Sequence, residues 1–377
     1  MKIVVNTRFL LKNKLEGVGW FTYETLIRLV RNYPEHEFIF LFDRPCDPSF
    51  IFATNVKPLV LFPPARHPFL WYIWFEIAVK NALKRLQPDV FLSMDGYCVL
   101  QTKIPTVMVA HDVAYLHYAE QVPFWVRKYY QYYVPRFLST ASRIVTVSAY
   151  TKSDIVRHYN LSSDKIAVAC NGCRNHFVPL TQPSKQHIRD KYTDGQPYFF
   201  YLGAMHPRKN IARLLHAFAQ FKQKTQSPIK LMLGGRLAWD TSDVKQAYDQ
   251  HPYKNDIILL GYVDDKLLPS LLGAAMALTY VSLFEGFGIP ILEAMQCEVP
   301  VLTSNVSSMP EVSGDAALLV DPTSVSAIAN GMTKLAADEE LRAQLIRAGQ
   351  QQRNLFTWER AADVIYNNLI QAAHPSK

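Results

Sequence analysis

Short apolar runs alternate with amphipathic stretches along this 377-residue chain, and this alternation constrains the fold more than any other feature. Runs rich in β-branched and aromatic residues, separated by helical patterns, predict parallel strands whose sheet is covered by helices. Seven such runs precede the polar segment Pro179–Gln196 and six follow it. The sequence therefore predicts an α/β protein with two doubly wound sheets.

The polar segment Pro179–Gln196 divides the two sets of strands, and its prolines and glycine are typical of a linker. We expect an N-terminal Rossmann-like domain over 1–180, a linker over 181–196 and a C-terminal Rossmann-like domain over 197–355. A helix over 356–377 is expected to pack back towards the N-terminal domain. Ligands of open α/β sheets bind at the C-terminal ends of the strands, so the predicted functional site is a cleft between the two domains.

Composition limits the class of protein. No run approaches the roughly 18 apolar residues of a membrane span, and the first residues lack the apolar core of a signal peptide, so we expect a cytoplasmic protein. The five cysteines fit no disulfide framework, and Cys170-Asn-Gly-Cys173 has no second pair to complete a zinc site. Residues 1–185 hold 22 Lys and Arg against 13 Asp and Glu. Such a basic half is typical of proteins that meet nucleic acid, an anionic membrane or an anionic substrate, although a solubilising surface explains it equally well.

The segment Glu285-Gly-Phe-Gly-Ile-Pro-Ile-Leu-Glu293 is the strongest local motif, because it follows a predicted strand and enters a helix. Its glycines allow backbone N–H groups to approach a ligand, and the helix start favours anionic groups. Glu285 on the loop can face a sugar or phosphate. Glu293, one helical turn further on, can accept hydrogen bonds from two adjacent hydroxyls, as on a ribose. A plain turn followed by a helix-favouring glutamate is the structural alternative.

Gly203-Ala-Met-His-Pro-Arg-Lys-Asn210 follows the first strand of the second set, and Asn210 is a natural N-cap for the next helix. Arg208 and Lys209 then stand at a helix N-terminus, where a guanidinium, an ammonium and backbone N–H groups suit a diphosphate. Two basic residues that simply face water are the alternative.

Two weaker motifs lie in the first half. Gly17-Val18-Gly19 precedes a helix but lacks the third glycine and later acidic residue of a dinucleotide site, so a nicotinamide enzyme is disfavoured. His111-Asp112 ends a strand, where His111 can hydrogen-bond a sugar or acceptor hydroxyl, although a lone histidine is more often structural. The carboxylates of Asp89, Asp264 and Asp265 form no metal-binding set, so no metal is expected.

Taken together, these motifs resemble those of the retaining glycosyltransferase family 4, which has the GT-B fold of two facing Rossmann-like domains. The resemblance rests on GVGWFTYETL, His111-Asp112 and VTVSAYTKSDI in the first half. After the linker it rests on PRKN, SLFEGFGIPILEAMQCEVPVLTSN and MPEVSGDAALLVDP. The two glutamates in their EGFGIPILEAM setting are highly specific, and HD or GVG alone is not.

The resemblance implies a catalytic set and a donor-binding set of residues. The catalytic set is His111, Glu285, Arg208 and Lys209. The donor-binding set is Gly17, Val18, Gly19, Tyr262, Val263, Gly286, Phe287, Gly288, Ile289 and Glu293. One departure matters, because many members carry Arg or Lys where this chain has Ala204, so neutralisation of the diphosphate falls more heavily on Arg208 and Lys209.

The implied activity is transfer of a sugar from a nucleotide-diphosphate donor to a saccharide or lipid-linked saccharide, with retention of configuration and without metal or other cofactor. A front-face transfer, with the leaving phosphate assisting deprotonation of the acceptor, is what the family implies. Mannose from GDP-mannose is the first expectation, because the EGFGIP stretch resembles bacterial mannosyltransferases that build lipopolysaccharide O-antigen or capsule. A GT-B nucleotide-sugar epimerase and, more distantly, a basic nucleic-acid-binding protein are the alternatives, although no nucleic-acid motif is present.

Aromatic residues lie beside basic ones in two stretches of the first half. One contains Trp71, Trp74 and Phe75, and the other, VPFWVRKYYQYYVPRFL, contains Trp125. Such stretches can lie on an anionic bilayer with rings at the headgroups, or they are core helices with basic solvent faces. We expect peripheral contact with the inner face of the membrane.

Overall fold

A computed structural model of the chain describes residues 1–65, 67–235 and 242–374. The chain divides into two units, each with its own parallel sheet. Unit 1 comprises Met1–Asn171 and Thr357–Lys377, and unit 2 comprises Gly172–Phe356. Residues 236–241 of the predicted C-terminal domain and residues 375–377 of the predicted final helix lie outside the described residues.

The sheet of unit 1 has seven parallel strands in the order β3-β2-β1-β4-β5-β6-β7. The strands are β1 (Lys2–Asn6), β2 (Glu37–Phe42), β3 (Val56–Val60), β4 (Val90–Ser93), β5 (Thr106–Ala110), β6 (Arg143–Thr146) and β7 (Ile166–Val168). Strands β1, β4 and β5 are almost wholly buried, as expected for a parallel sheet covered on both faces. The order reverses next to β1, so the ends of β1 and β4 define the switch point at which such sheets bind ligands.

Seven helices of unit 1 lie within the described residues. They are α1 (Gly17–Asn32), α2 (Pro68–Ile73), α3 (Lys80–Leu86), α4 (Ala114–His117), α5 (Phe124–Thr140), α6 (Ala149–Tyr159) and α15 (Trp358–Ala373). A π-helical segment, Trp74–Val79, joins α2 to α3 without a break. Ser148 caps α6 as the sequence predicts, because its Oγ accepts a hydrogen bond of 3.0 Å from the Thr151 N–H.

The sheet of unit 2 has six parallel strands in the order β10-β9-β8-β11-β12-β13. The strands are β8 (Tyr198–Leu202), β9 (Lys230–Gly234), β10 (Ile257–Gly261), β11 (Ala277–Tyr280), β12 (Val301–Ser304) and β13 (Ala317–Val320). The helices are α7 (Gln182–Thr193), α8 (Ile211–Thr225), α9 (Ser242–Asp249), α10 (Leu268–Gly273), α11 (Ile289–Gln296), α12 (Met309–Ser313), α13 (Val325–Ala337) and α14 (Glu339–Gln352). Here the order reverses beside β8, so the loops after β8 and β11 meet at the switch point. The two sheets confirm the predicted fold class of two Rossmann-like parallel-sheet domains.

The prediction of a linker over 181–196 is wrong. Most of the segment forms α7, which Thr181 caps by accepting a hydrogen bond from the Ser184 N–H. Pro183 lies in the first turn, where a proline removes no helical hydrogen bond. The helix is polar because Thr193 is its one buried residue, so its composition resembles that of a loop. The boundary between the units lies earlier, between Asn171 and Gly172.

The C-terminal helix α15 belongs to unit 1 and packs beside α1. Arg28 of α1 pairs with Glu359 at 2.7 Å, and Tyr33 stacks on Tyr366 with ring centroids 3.4 Å apart. The Trp358 ring is buried against Phe21. Residues far apart in sequence therefore complete one core.

All five cysteines are free thiols. Among the described residues, no helix has the length and apolar character needed to cross a bilayer.

Candidate active site

Arg208 and Lys209 converge on Glu285 at the C-terminal end of the unit 2 sheet. Lys209 Nζ lies 2.5 Å from Glu285 Oε1, and Arg208 Nη1 lies 3.1 Å from Oε2. The Tyr280 hydroxyl donates a hydrogen bond of 2.8 Å to Oε1 and accepts one of 2.9 Å from Lys209. Two cations share one carboxylate, so the cluster keeps an excess positive charge when Glu285 is ionised. Such a cluster suits an anionic ligand.

Glu285 is almost fully buried yet remains ionised. Burial raises the pKa of its carboxyl group, but the charges of Lys209 and Arg208 outweigh burial and lower the pKa to about 2. Arg208 is the more exposed cation of the pair, and it also donates to the Phe284 carbonyl at 3.0 Å. The ammonium of Lys209 is held deeper, against the Tyr280 ring.

The loop that carries Arg208 and Lys209 differs in one respect from the prediction. Asn210 precedes α8 but does not cap it with its side chain, because the residue adopts the left-handed region with φ +64°. Its amide instead donates to the carbonyls of Val281 at 2.9 Å and Pro322 at 2.7 Å. Asn210 therefore ties the basic turn to two neighbouring loops, one of which leads to Glu285. Ala204, the departure from the family pattern, is exposed on the same turn.

Two serines stabilise the turn after Glu285 through hydrogen bonds to its backbone. Ser308 Oγ donates to the carbonyls of Glu285 and Phe287, both at 2.9 Å, and Ser307 Oγ accepts from the Glu285 N–H. Gly288 has φ +101°, which other residues rarely adopt. The helix α11 then begins at Ile289, with Pro290 in its first turn. Gly286 and Phe287 are buried in this turn.

Glu293 in α11 lies in a second ionic cluster, which sequence reasoning missed. Its Oε1 accepts a hydrogen bond of 2.8 Å from Arg174, and Arg174 also pairs with Asp265 at 2.5 Å. Burial raises the pKa of Glu293, and the charge of Arg174 offsets only part of that rise. The Arg174 guanidinium lies 4.9 Å from the Phe177 ring centroid. Arg174 therefore fixes the position of Glu293.

Tyr262 and Val263 follow β10, in the loop predicted to bind the base. The Tyr262 side chain is 65% exposed, so its ring is available to a ligand. Val263 packs over the backbone at Gly234, where a Cβ would meet its Cγ2 at 3.0 Å. Tyr262 is therefore a surface residue that a ligand can reach, whereas Val263 is a packing residue.

Unit 1 contains a cavity of about 410 Å³ at its own switch point. Charged and polar side chains line it beside aromatic rings, including those of Arg8, Asp43, Asp95, His111, Asp112, Tyr97 and Tyr130. Arg8 is buried, forms an ion pair with Asp95 and lies 4.5 Å from the Tyr97 ring centroid. Rings beside fixed hydrogen-bonding groups form a wall that suits a saccharide.

His111 lines this cavity as a neutral ring. Its Nε2 is 2.8 Å from the Met94 carbonyl oxygen, which only accepts, so Nε2 carries the proton. Burial lowers the pKa of His111, and that hydrogen bond and the nearby carboxylates of Asp112 and Asp95 offset part of the decrease. In the neutral ring Nδ1 is an acceptor, which suits a sugar hydroxyl.

Gly17, Val18 and Gly19 do not form a turn ahead of a helix, because α1 begins at Gly17 and contains all three. Val18 lines the same cavity as His111. A Cβ at Gly19 would lie 2.9 Å from the Phe9 carbonyl oxygen, so close packing requires this glycine. No atom lies within 4 Å of the Cβ position at Gly17.

Besides the loop of Tyr262 and Val263 after β10, the structure groups the predicted residues into three places. Unit 2 holds the cluster of Arg208, Lys209 and Glu285, and one helical turn further along α11 it holds Glu293. Unit 1 holds His111 and the first turn of α1. Parallel sheets with polar residues collected at their switch points are typical of α/β proteins that bind a ligand there.

Comparison with known proteins identifies the family. The profile described as Glycosyl transferases group 1 matches residues 184–352, and the profile described as Glycosyltransferase Family 4 matches residues 15–174. The chain is 36% identical over 254 residues to O-antigen chain mannosyltransferase B of Escherichia coli, covering 67% of each protein. It is 28% identical over 262 residues to O-antigen chain mannosyltransferase RfbU of Salmonella typhimurium, covering 68% of this chain and 67% of that protein.

A similar solved structure is that of WaaG, a glycosyltransferase involved in lipopolysaccharide biosynthesis. Its TM-score is 0.75 at 15% sequence identity, over 97% of this chain and 99% of that one. The chain belongs to glycosyltransferase family 4, among the group 1 glycosyltransferases. It is therefore a glycosyltransferase with the GT-B type of fold, as the motifs predicted, and this membership favours sugar transfer over the two alternative activities.

Proposed function

We propose that this enzyme transfers mannose from GDP-mannose to a saccharide or lipid-linked saccharide during assembly of a cell-surface polysaccharide such as O-antigen. Retention of configuration and independence of divalent ions are part of the proposal. The names of the two mannosyltransferase relatives support the sugar and the pathway. The pairing of Arg208 and Lys209 with Glu285 is the structural observation that supports the chemistry.

Breaking the bond between a sugar and a diphosphate places negative charge on the leaving phosphate. Fixed cations aimed at that phosphate stabilise the transition state more than the ground state, and they replace a metal ion. Lys209 and Arg208 are already held in place by Glu285, so little reorganisation is needed when the donor binds. Glu285 remains ionised beside them and can stabilise the positive charge that develops on the sugar ring.

Glu293 is the proposed ligand of the donor ribose, and Arg174 is its positioning residue. A carboxylate fixed from one side by a guanidinium can accept hydrogen bonds from the 2′- and 3′-hydroxyls of a ribose. A deoxyribose lacks one of these hydroxyls and leaves a buried acceptor less well satisfied. We therefore expect GDP- and UDP-linked sugars to bind more tightly than dTDP-linked ones.

The cavity of unit 1 is the proposed acceptor site. His111 offers an acceptor nitrogen there, Asp95 and Asp112 offer carboxylate oxygens, and the Tyr97 and Tyr130 rings offer apolar faces. A sugar has hydroxyl donors and apolar faces, so this wall matches its chemistry. The cavity volume suits one or two sugar rings of an acceptor.

The proposal is tested by incubating the enzyme with GDP-mannose in EDTA, with and without lipid-linked saccharide extracts. We expect mannose in the lipid fraction only when acceptor is present, at a rate that added Mg²⁺ does not raise. Conversion of GDP-mannose without acceptor would instead support the epimerase alternative. Loss of transfer in EDTA, restored by Mg²⁺, would refute metal independence.

Variants test the role of the basic turn. Lys209→Met and Arg208→Met should each lower kcat by about 10²–10³, as removal of one transition-state donor does in other enzymes. Lys224→Met, which removes an exposed lysine of the neighbouring helix α8, is the matched control and should leave kcat unchanged. Equal rates for Lys209→Met and the control would contradict the assignment.

We also propose that unit 1 meets an anionic membrane surface through α2 and α5. Exposed rings project from both helices, at Phe69, Tyr72, Phe124 and Trp125. The two helices are adjacent, because the ring centroids of Tyr72 in α2 and Tyr133 in α5 lie 6.0 Å apart. Exposed rings beside cations are the groups that interfacial helices insert at lipid headgroups.

The cations of this surface lie on α5 beside the exposed rings. Arg127 and Lys128 approach the Phe124 ring, and Arg136 stacks on Tyr132 at 3.6 Å. By contrast, Trp74 and Phe75, which the sequence analysis placed among the membrane-facing rings, are fully buried. The exposed rings of this stretch are instead those of Phe69 and Tyr72.

Sedimentation with liposomes tests the membrane contact. We expect binding to vesicles that contain anionic lipid in low salt, and a loss of at least tenfold in Phe124→Ser/Trp125→Ser. Val178→Ser, which changes an exposed apolar residue of unit 2, should bind normally. Equal recovery on neutral vesicles, or equal binding by the double variant, would contradict the proposed surface.

A further inference from the structure

Three side chains outside the sites described above converge on the surface of unit 1. His117 ends α4, and Asp154 and His158 lie on α6. His117 Nε2 is 2.8 Å from Asp154 Oδ2, and His158 Nδ1 is 3.0 Å from Asp154 Oδ1. One ligand atom from each residue lies within 4.8 Å of the others. We propose that these residues bind a divalent transition-metal ion of the zinc class.

The ligand types favour zinc over the harder cations. Two imidazole nitrogens and one carboxylate oxygen form a recurring set for Zn²⁺, whereas Ca²⁺ and Mg²⁺ prefer several oxygen ligands. Tetrahedral bonds of about 2.0–2.1 Å place ligand atoms roughly 3.3 Å apart. The distances from His117 Nε2 and His158 Nδ1 to the Asp154 carboxylate are slightly shorter than that. His158 Nδ1 also lies 2.9 Å from the Asp154 carbonyl oxygen, so the His158 ring must rotate away from its own helix to admit an ion.

The site is partly built before an ion arrives. Asp154 is buried, with 7% of its surface exposed, so its carboxylate is fixed, whereas both histidines are exposed enough to adjust. Asp154 and His158 are four residues apart on α6, which places them on one face of the helix. The Tyr115 hydroxyl of α4 is hydrogen-bonded to the Tyr159 hydroxyl of α6, which keeps the two helices together. Water can complete the tetrahedron on the exposed side.

An ion at this site would cross-link α4 to α6. The segment that leads into α4 contains His111 and Asp112, and Asp112 Oδ1 already accepts a hydrogen bond from the Ala114 N–H. The metal would therefore hold the segment that lines the unit 1 cavity. Its role is structural and separate from the cluster of Arg208, Lys209 and Glu285, so the inference does not depend on the proposed transfer activity.

Metal titration of the full-length protein tests the site without an activity assay. Protein stripped with a chelator and then freed of it should bind one Zn²⁺ per chain in calorimetry. Co²⁺ should give the strong visible absorption of tetrahedral coordination. His117→Gln and His158→Gln should each weaken binding by more than about 100-fold, because even the loss of outer-shell partners costs roughly 10–100-fold.

Two controls separate this site from other ligands. His187→Gln changes an exposed histidine of α7 and should bind Zn²⁺ as the wild type does. Cys170→Ser should also bind normally, and loss of binding in that variant alone would place the ion at the cysteines and overturn the proposal. Circular dichroism of each variant confirms that it folds. Unchanged affinity in both His117→Gln and His158→Gln, or no stoichiometric binding by the wild type, would equally overturn it.

Discussion

Lys209→Met is the substitution that most directly tests the basic turn, because it removes the closest cation of Glu285. The Lys209 ammonium lies 2.5 Å from Glu285 Oε1, and Arg208 and the Tyr280 hydroxyl are among the groups that then remain beside that buried carboxylate. Burial alone would raise the pKa of Glu285. The charges of Lys209 and Arg208 outweigh burial and lower the pKa to about 2, so the cations stabilise the ionised form.

The contribution of the ionised Glu285 to the free energy of folding follows from that pKa. Its ordinary value is 4.5, and a folded-state pKa of about 2 contributes about 3 kcal/mol to folding at pH 7. The folded-state pKa is lower than the unfolded one, so this stability is fully present above pH 4.5 and is lost as the pH falls towards 2. Because Arg208 remains, we expect Lys209→Met to cost about 2 kcal/mol and not the whole amount.

A double-mutant cycle measures the interaction. Urea unfolding of the wild type, Lys209→Met, Glu285→Gln and the double variant at pH 7 should give a coupling energy of about 1.5 kcal/mol or more. Lys230→Met, which removes the partner of the exposed Asp194, is the control and should cost much less. Additivity within about 0.5 kcal/mol would show that Lys209 and Glu285 do not stabilise each other, and the reasoning would then fail.

Four further substitutions test other parts of the structure by thermal and urea unfolding. Gly19→Ala should destabilise unit 1 by about 1–3 kcal/mol, because the new Cβ would clash with the backbone. Gly17→Ala is the control and should be neutral or slightly stabilising. Equal effects of the two substitutions would contradict the packing described at Gly19. Arg174→Met should cost about 3 kcal/mol. Loss of the Arg174 charge should also raise the pKa of Glu293 further above its ordinary value. The variant should therefore lose more stability than the wild type as the pH rises from acid to neutral. Parallel profiles of stability against pH would contradict this expectation. Ser148→Ala should cost about 1 kcal/mol, and no loss would mean that the cap of α6 is not needed.

The strands were predictable because most of them are short, largely buried runs with a distinct composition. Seven runs were predicted before the segment Pro179–Gln196 and six after it, and the described residues form seven and six strands on those two sides. Helix α7 could not be predicted in the same way, because it buries almost nothing and has no apolar stripe. Helix α5 was described only as an aromatic stretch, since rings on several sides and Pro135 in its interior obscure its period.

The positions of the candidate site residues were predictable where these residues are neighbours in sequence and unpredictable where the site depends on distant pairs. The loop motifs placed Glu285, Arg208 and Lys209 correctly at strand ends. Arg174 gave no local signal, because its partners lie 91 and 119 residues further along the chain. The same holds for His117, which is 37 residues from Asp154. Only the fold brings such groups together.

The return of α15 to unit 1 has a consequence for synthesis of the protein. The core around Phe21 includes Trp358, so the core of unit 1 remains incomplete until α15 has been synthesised, after all of unit 2. Unit 2 is continuous in sequence and can fold earlier, during translation. A chain that stops before residue 358 should therefore have a folded unit 2 and an incomplete unit 1. The apolar surface left exposed around Phe21 is one that chaperones can bind.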